Sequence, residues 1–194
     1  MPSQTTLIYL HGFNSSPESY KAQHLKRYLE SAPYVCRYLV PKLSYSPASV
    51  ERSVSELIEQ ALALGPVVLV GSSLGGYYAI YFAEKYGVKA VLINPAVKPY
   101  KLLMDYLGKN QNLYTGEQYT LTKAHMDELL AIDVCNISRP KDLLLLTQTA
   151  DETLDYRQAE TKYQDHKLSI EEGGDHSFQD FQRFLPDIFR FLLQ

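Results

Sequence analysis

A few short stretches of the chain carry the residue types that nucleophilic chemistry requires. The first is Gly71-Ser72-Ser73-Leu74-Gly75. Centred on Ser73 it reads G-x-S-x-G, between an apolar strand-like run and a helical pattern. A sharp strand-to-helix turn lifts its central hydroxyl above the sheet edge. It also requires small residues two positions before and after. Around Ser73 these are Gly71 and Gly75; around Ser72 they would be Val70 and Leu74, which are bulky. Ser73 is therefore the candidate nucleophile, and Ser72 is expected to turn away. A phosphate-binding loop would need Lys-Ser/Thr after its last glycine, and here Gly75-Gly76 is followed by Tyr77. A glycine-rich turn without chemistry would account for this motif taken alone, so its partners decide.

A serine hydroxyl needs a base, and the base needs an orienting acid. His176 lies in Gly173-Gly174-Asp175-His176-Ser177-Phe178, after the last predicted strand, where a flexible backbone can carry an imidazole over the sheet edge. His125 falls in an insertion, His166 precedes a strand at the wrong end, and His24 sits in an early helix as a surface residue. Asp151 follows Leu143-Leu144-Leu145-Leu146-Thr147-Gln148-Thr149-Ala150, just past a strand's C-terminal end, where ligands bind in open α/β sheets. Glu152 and Asp155 are near rivals, and Asp155 also suits a helix N-cap. Asp175 adjoins His176, but loop neighbours usually point apart. Two backbone N–H groups must receive the developing negative charge. One is expected from Leu74, after the nucleophile; the other from Phe13, in Tyr9-Leu10-His11-Gly12-Phe13. The His11 side chain reads as structural.

Strand-like runs alternate with helical patterns to position these groups. Strands are expected at Thr6 to Leu10, Val35 to Val40, Val67 to Val70, Val88 to Ile93, Lys141 to Thr147 and Lys167 to Ile170. Helices are expected at Ser19 to Ser31, Pro47 to Leu64, Leu74 to Tyr86 and Phe178 to Leu193. That order is α/β, with a parallel sheet covered on both faces. Between Ile93 and Lys141 no strand is expected, and short helices are read at Tyr100 to Leu107 and Thr122 to Ile132. The insertion is a lid, a substrate wall or an ordinary crossover with an extra helix. Its Tyr100, Leu102, Leu103, Met104, Tyr106, Leu107 and Met126 are candidate wall residues or the insertion's own packing.

The chain has 194 residues, 45% of them apolar and 21% charged, with a formal net charge of −3. That suits one domain and presents no cationic footprint for nucleic acid or an anionic membrane. The apolar runs are too short to span a bilayer, and the N-terminus lacks a signal-peptide pattern. A cytoplasmic location is expected. Cys36 and Cys135 form no metal-spaced cluster and are expected as buried free thiols.

Four pieces in this order, HGF after the first strand, GSSLGG, TADET and GGDHSF, resemble the α/β-hydrolase superfamily. More closely, YLHGFNSSPES, GSSLGGYYA, INPAVKPY, ETLDYRQA and GGDHSF resemble the small YqiA-type esterases of bacteria. The resemblance implies Ser73 as nucleophile, His176 as base and Asp151 as acid. It also implies ester hydrolysis with no metal or organic cofactor. Only Met1 to Thr5 precede the first strand, so the two leading antiparallel strands of larger members have no room. A minimal α/β-hydrolase fold of about six mostly parallel strands is expected over 1–194, with a small helical cap at about 99–138. The expected substrate is a small or acyl-chain ester. Thioester hydrolysis, another serine acyl-hydrolase reaction and a non-catalytic binding role on the same fold stay open.

Overall fold

The computed structural model describes residues 4–112 and 114–194. In chain order the first elements are β1 (Thr5–Leu10), α1 (Tyr20–Ser31), β2 (Cys36–Leu39), α2 (Pro47–Leu62), β3 (Val67–Ser72), α3 (Leu74–Tyr86) and β4 (Lys89–Ile93). An insertion follows, with α4 (Pro99–Leu102), β5 (Gly108–Gln111), β6 (Gln118–Leu121) and α5 (Lys123–Ala131). The chain returns through β7 (Leu143–Gln148), α6 (Tyr156–Lys162), β8 (Lys167–Glu171) and α7 (Leu185–Leu193).

Six strands form one sheet in the order β2-β1-β3-β4-β7-β8, every neighbouring pair parallel. Successive side chains of a strand face opposite ways, so each strand feeds two cores. Leu7 and Tyr9 of β1 join Val68 and Val70 of β3 under α1 and α7. Ile8 and Leu10 join Leu69 on the other face, under α2 and α3. Helix α3 is buried on nearly all sides because it lies between the sheet and the insertion; Tyr77 Oη donates to the Leu129 carbonyl of α5 at 2.6 Å. The architecture is the expected minimal α/β-hydrolase arrangement, with a helix-bearing insertion between β4 and β7.

Three details depart from the sequence reading. The insertion contains an antiparallel hairpin, β5 with β6, where no strand was expected. Its strands, GKNQ and QYTL, are too polar to announce themselves; only Tyr119 and Leu121 turn fully inward. The last α-helix begins at Leu185, not Phe178. Phe178 and Asp180 have positive φ, 63° and 55°, and Phe181–Phe184 forms a 3-10 turn. Pro186 fits the first turn of a helix, where its missing N–H costs nothing. The thiols are free, but Cys36 is only half-buried and Cys135 is exposed, in a loop beyond α5.

The strand order reverses between β1 and β3, and this switch point opens a crevice at the strands' C-terminal ends. Leu10 pairs with Gly71 there, so the loop after β1 and the turn after β3 emerge side by side.

Candidate active site

Ser73 occupies the turn between β3 and α3 with φ 55° and ψ −122°. A side-chain-bearing residue in this region stores on the order of 1–3 kcal/mol of strain, so its surroundings must enforce it. The Ser73 N–H donates to the Ile93 carbonyl at 3.0 Å, and its carbonyl accepts from Gly76 and Ala96 N–H at 2.9 and 3.1 Å. A Cβ at Gly71 would strike the Gly75 carbonyl, as the spacing of the motif requires. A Cβ at Gly75 would strike the carbonyls of Leu10 and His11 instead. The two glycines therefore serve different approaches: one closes the turn, the other docks it against β1. Ser72 is buried beside the Tyr9 phenol, and burial pushes the Tyr9 pKa well up.

His176 Nε2 lies 3.1 Å from Ser73 Oγ. Its Nδ1 lies 3.0 and 2.9 Å from the two Asp151 carboxylate oxygens. A carboxylate facing Nδ1 only accepts, so Nδ1 carries the proton and Nε2 is free to accept from the serine hydroxyl. The Asp151 side chain is 2% exposed and that of His176 26%. Asp151 Oδ1 also accepts from the N–H groups of Thr153 and Leu154 at 2.9 and 2.8 Å, which fixes the carboxylate's orientation. Such a line can remove a proton from a hydroxyl as it attacks a carbonyl.

The rival residues fall elsewhere. Glu152 accepts from the His176 backbone N–H at 3.0 Å and braces the loop rather than the ring. Asp155 caps α6 by accepting from Arg157 N–H. Asp175 accepts from Gln179 Nε2 at 3.0 Å. His125 closes a capping box with Thr122, and His166 Nδ1 bonds the Tyr163 carbonyl. His24 lies against Tyr20 at a tilt, with ring centroids 4.1 Å apart. His11 is structural: its Nε2 accepts from Leu43 N–H at 3.2 Å and its Nδ1 donates to the Gly12 carbonyl at 3.0 Å. Burial holds its pKa below the usual histidine value, in keeping with that neutral tautomer.

Two residues that the sequence did not single out hold the histidine loop. Asn94, 2% exposed and at φ 39°, donates from Nδ2 to the carbonyls of Asp175 and His176 at 3.0 and 3.3 Å. Its Oδ1 accepts from Thr147 Oγ1 and Gln148 N–H at 3.1 and 3.0 Å. Gln148 Oε1 accepts from Asp175 and Gln179 N–H at 3.2 and 2.8 Å. Gly173 and Gly174, at φ 81° and 77°, give the loop its bend. The sequence signals were slight: a polar Asn closing an apolar strand before Pro95, and a Gln ending a run of leucines.

Among the described residues, the N–H groups of Phe13 and Leu74 donate to no protein acceptor. Leu74 N–H stands at the N-terminus of α3, a favourable place for negative charge. Gly12 lies so near that a Cβ there would come within 3.3 Å of Ser73 Cβ.

Space opens on two sides of Ser73. A cavity of 420 Å³ is lined by Phe13, Leu74, Leu102, Leu103, Tyr106 and Leu154. Of the expected wall residues only Leu102, Leu103 and Tyr106 reach it; Met126 packs around a separate cavity, and Tyr100, Met104 and Leu107 line neither. A cavity of 550 Å³ on the other side is more polar, with Tyr9, Ser19, Lys21 and Asp180. Lys21 Nζ donates to the Ser177 carbonyl at 2.8 Å. Burial lowers its pKa to about 8, against the pull of the Asp175 and Asp151 carboxylates. Among the described residues, no group of three or more His, Cys, Asp or Glu side chains could hold a metal ion. No described helix is long and apolar enough to cross a membrane.

A family model described as "Uncharacterised protein family (UPF0227)" matches residues 6–193. Solved structures of similar fold include Est1E from Butyrivibrio proteoclasticus with ferulic acid bound, at TM-score 0.73 and 13% identity, over 99% of this chain and 90% of that one. Monoacylglycerol lipase from Paleococcus ferrophilus aligns at TM-score 0.71 and 17% identity, over 98% and 95%. Alpha/beta hydrolase domain-containing protein 10 from mouse aligns at TM-score 0.70 and 16% identity, over 95% and 89%. At these identities the likeness is one of fold.

Proposed function

The chain belongs to the family UPF0227, and from that premise we propose that it is a serine carboxylesterase of the YqiA type. The observation that carries this reading is one continuous line, Asp151 to His176 at 2.9 Å and His176 to Ser73 at 3.1 Å. In this reading Ser73 Oγ attacks the acyl carbonyl carbon while His176 Nε2 takes its proton. Asp151 keeps the imidazole in the required tautomer and stabilises its cation. The N–H groups of Phe13 and Leu74 bind the oxyanion. The leaving alcohol departs with the proton from His176. Water, activated by the same nitrogen, then releases the acid from Ser73.

The whole chain acts as one catalytic unit, with the segment 99–138 as its cap. The apolar cavity under Leu102, Leu103 and Tyr106 suits a short acyl chain or a small hydrophobic group. The likeness in fold to a monoacylglycerol lipase lends the same direction to the reading. The free thiols and the apolar runs accord with a cytoplasmic enzyme.

The test compares Ser73→Ala with Ser72→Ala on a chromogenic short-chain ester. Loss of turnover in Ser73→Ala with turnover kept in Ser72→Ala is expected. Full activity in Ser73→Ala ends the reading.

A further inference from the structure

The Phe13 N–H belongs to an irregular loop with no helix to hold it, unlike its counterpart at Leu74. The loop passes through Asn14 at φ 51°, a conformation that must be held from outside. One side is fixed by His11, through Leu43 and Gly12. The other side is held at Asn14 and Ser15 by the insertion. Tyr119 Oη donates to Asn14 Oδ1 at 2.5 Å. Asn112 Nδ2 donates to the Ser15 carbonyl at 2.9 Å. The Phe13 ring sits edge-on to both Tyr106 and Tyr119, with centroids 5.9 and 6.4 Å away. Tyr119 is 8% exposed and stacked on Tyr45 at 4.7 Å.

We infer that Tyr119 of the hairpin is a positioning residue for the reaction, aiming the Phe13 N–H at the oxyanion through Asn14. The inference rests on the esterase reading above and adds a role for the insertion beyond that of a wall. One oxyanion donor is held by the core fold alone, the other by His11 on one side and the insertion on the other. Displacement of the hairpin therefore dismantles half of the oxyanion site, even when Ser73, His176 and Asp151 stay in place.

Removing an oxyanion donor outright costs on the order of 10²–10³ in kcat, and loosening one costs less. Tyr119→Phe keeps the ring and deletes only the hydroxyl. Asn14→Gly keeps access to positive φ and deletes only the acceptor. Each is compared with wild type by active-site-titrated kinetics on a chromogenic ester and by affinity for a boronic acid that mimics the tetrahedral intermediate. Each variant is expected to lose about tenfold in kcat with little change in KM, as for a slightly misplaced group. Boronate affinity is expected to fall in parallel. The double variant is expected to lose no more than either single one, because both delete the same bond. Wild-type kcat and boronate affinity in both single variants would overturn the inference, as would losses that multiply in the double variant. A merely structural bond would lower Tm without moving either quantity, which also overturns it. A wild-type protein that neither turns over nor labels at Ser73 overturns the esterase reading itself, and this inference with it.

Discussion

The Gly75 carbonyl fills the space that a Cβ on Gly71 would occupy. The same Cβ would lie 2.7 Å from Ala79 Cβ, so the first turn of α3 cannot retreat without disturbing the core. Gly71→Ala is thus an overpacking change at a fully enclosed site, with a typical cost of about 1–3 kcal/mol. It is expected to lower Tm by several degrees and to abolish ester turnover, because the turn that presents Ser73 must open. Thermal melts and kinetics on the same purified sample check both.

Asp151→Asn keeps the size of the side chain and removes the charge. Its amide nitrogen can donate toward Nδ1, which favours the tautomer that holds its proton on Nε2 and blocks acceptance from Ser73. A loss of about 10⁴ in kcat is expected, from the known effect of that exchange in serine–histidine–aspartate sites. Folding is expected to survive, since the Thr153 and Leu154 N–H groups still find an acceptor. Steady-state kinetics beside a circular dichroism melt separates the two outcomes.

Asn94→Ala leaves polar groups on two segments without their partner: Gln148 N–H and Thr147 Oγ1 at the end of β7, and the Asp175 carbonyl in the histidine loop. Each unpaired buried group costs on the order of 1–3 kcal/mol. The variant is expected to melt earlier and to lose at least tenfold in kcat, because the loop that carries His176 is no longer tied to the end of β4, although its bonds to Gln148 remain. Unchanged kcat in a folded Asn94→Ala protein would remove Asn94 from the positioning network.

The most legible parts were those where a local rule has a steric cause. Gly71 and Gly75 distinguished Ser73 from Ser72 because only one register of the motif puts glycine where backbones collide. Short apolar runs marked the strands of the central sheet most plainly at β1, β3, β4 and β7, whose residues are nearly all buried. The hairpin was not legible, because Lys109, Asn110 and Gln111 carry no apolar alternation and its partners lie in a loop nearly a hundred residues earlier. Asn94 and Gln148 were not legible for a related reason. Their role exists only once the ends of β4 and β7 stand side by side. The phenylalanines from Phe178 to Phe184 imitate helical spacing while the backbone at Phe178 and Asp180 departs from it.

Burial lowers the His11 pKa below its ordinary 6.5. The unfolded chain then binds a proton at this residue before the folded one does, so stability is present above pH 6.5 and is lost as pH falls through the folded pKa. Protonation would also break the bond from Leu43 N–H and loosen the loop that carries Phe13. His11→Gln, whose amide oxygen can still accept from Leu43, is expected to lower Tm less steeply than wild type as pH is taken below 6.5. Equal slopes for the two proteins would assign the acid sensitivity elsewhere.

The central claim is that Ser73 is a hydroxyl activated by His176. A fluorophosphonate probe reports it most directly, with the adduct located by peptide mapping on intact folded protein. One adduct per chain on Ser73 is expected, absent in Ser73→Ala, retained in Ser72→Ala and strongly slowed in His176→Ala. No adduct on folded wild-type protein, or an adduct on Ser72, would contradict it.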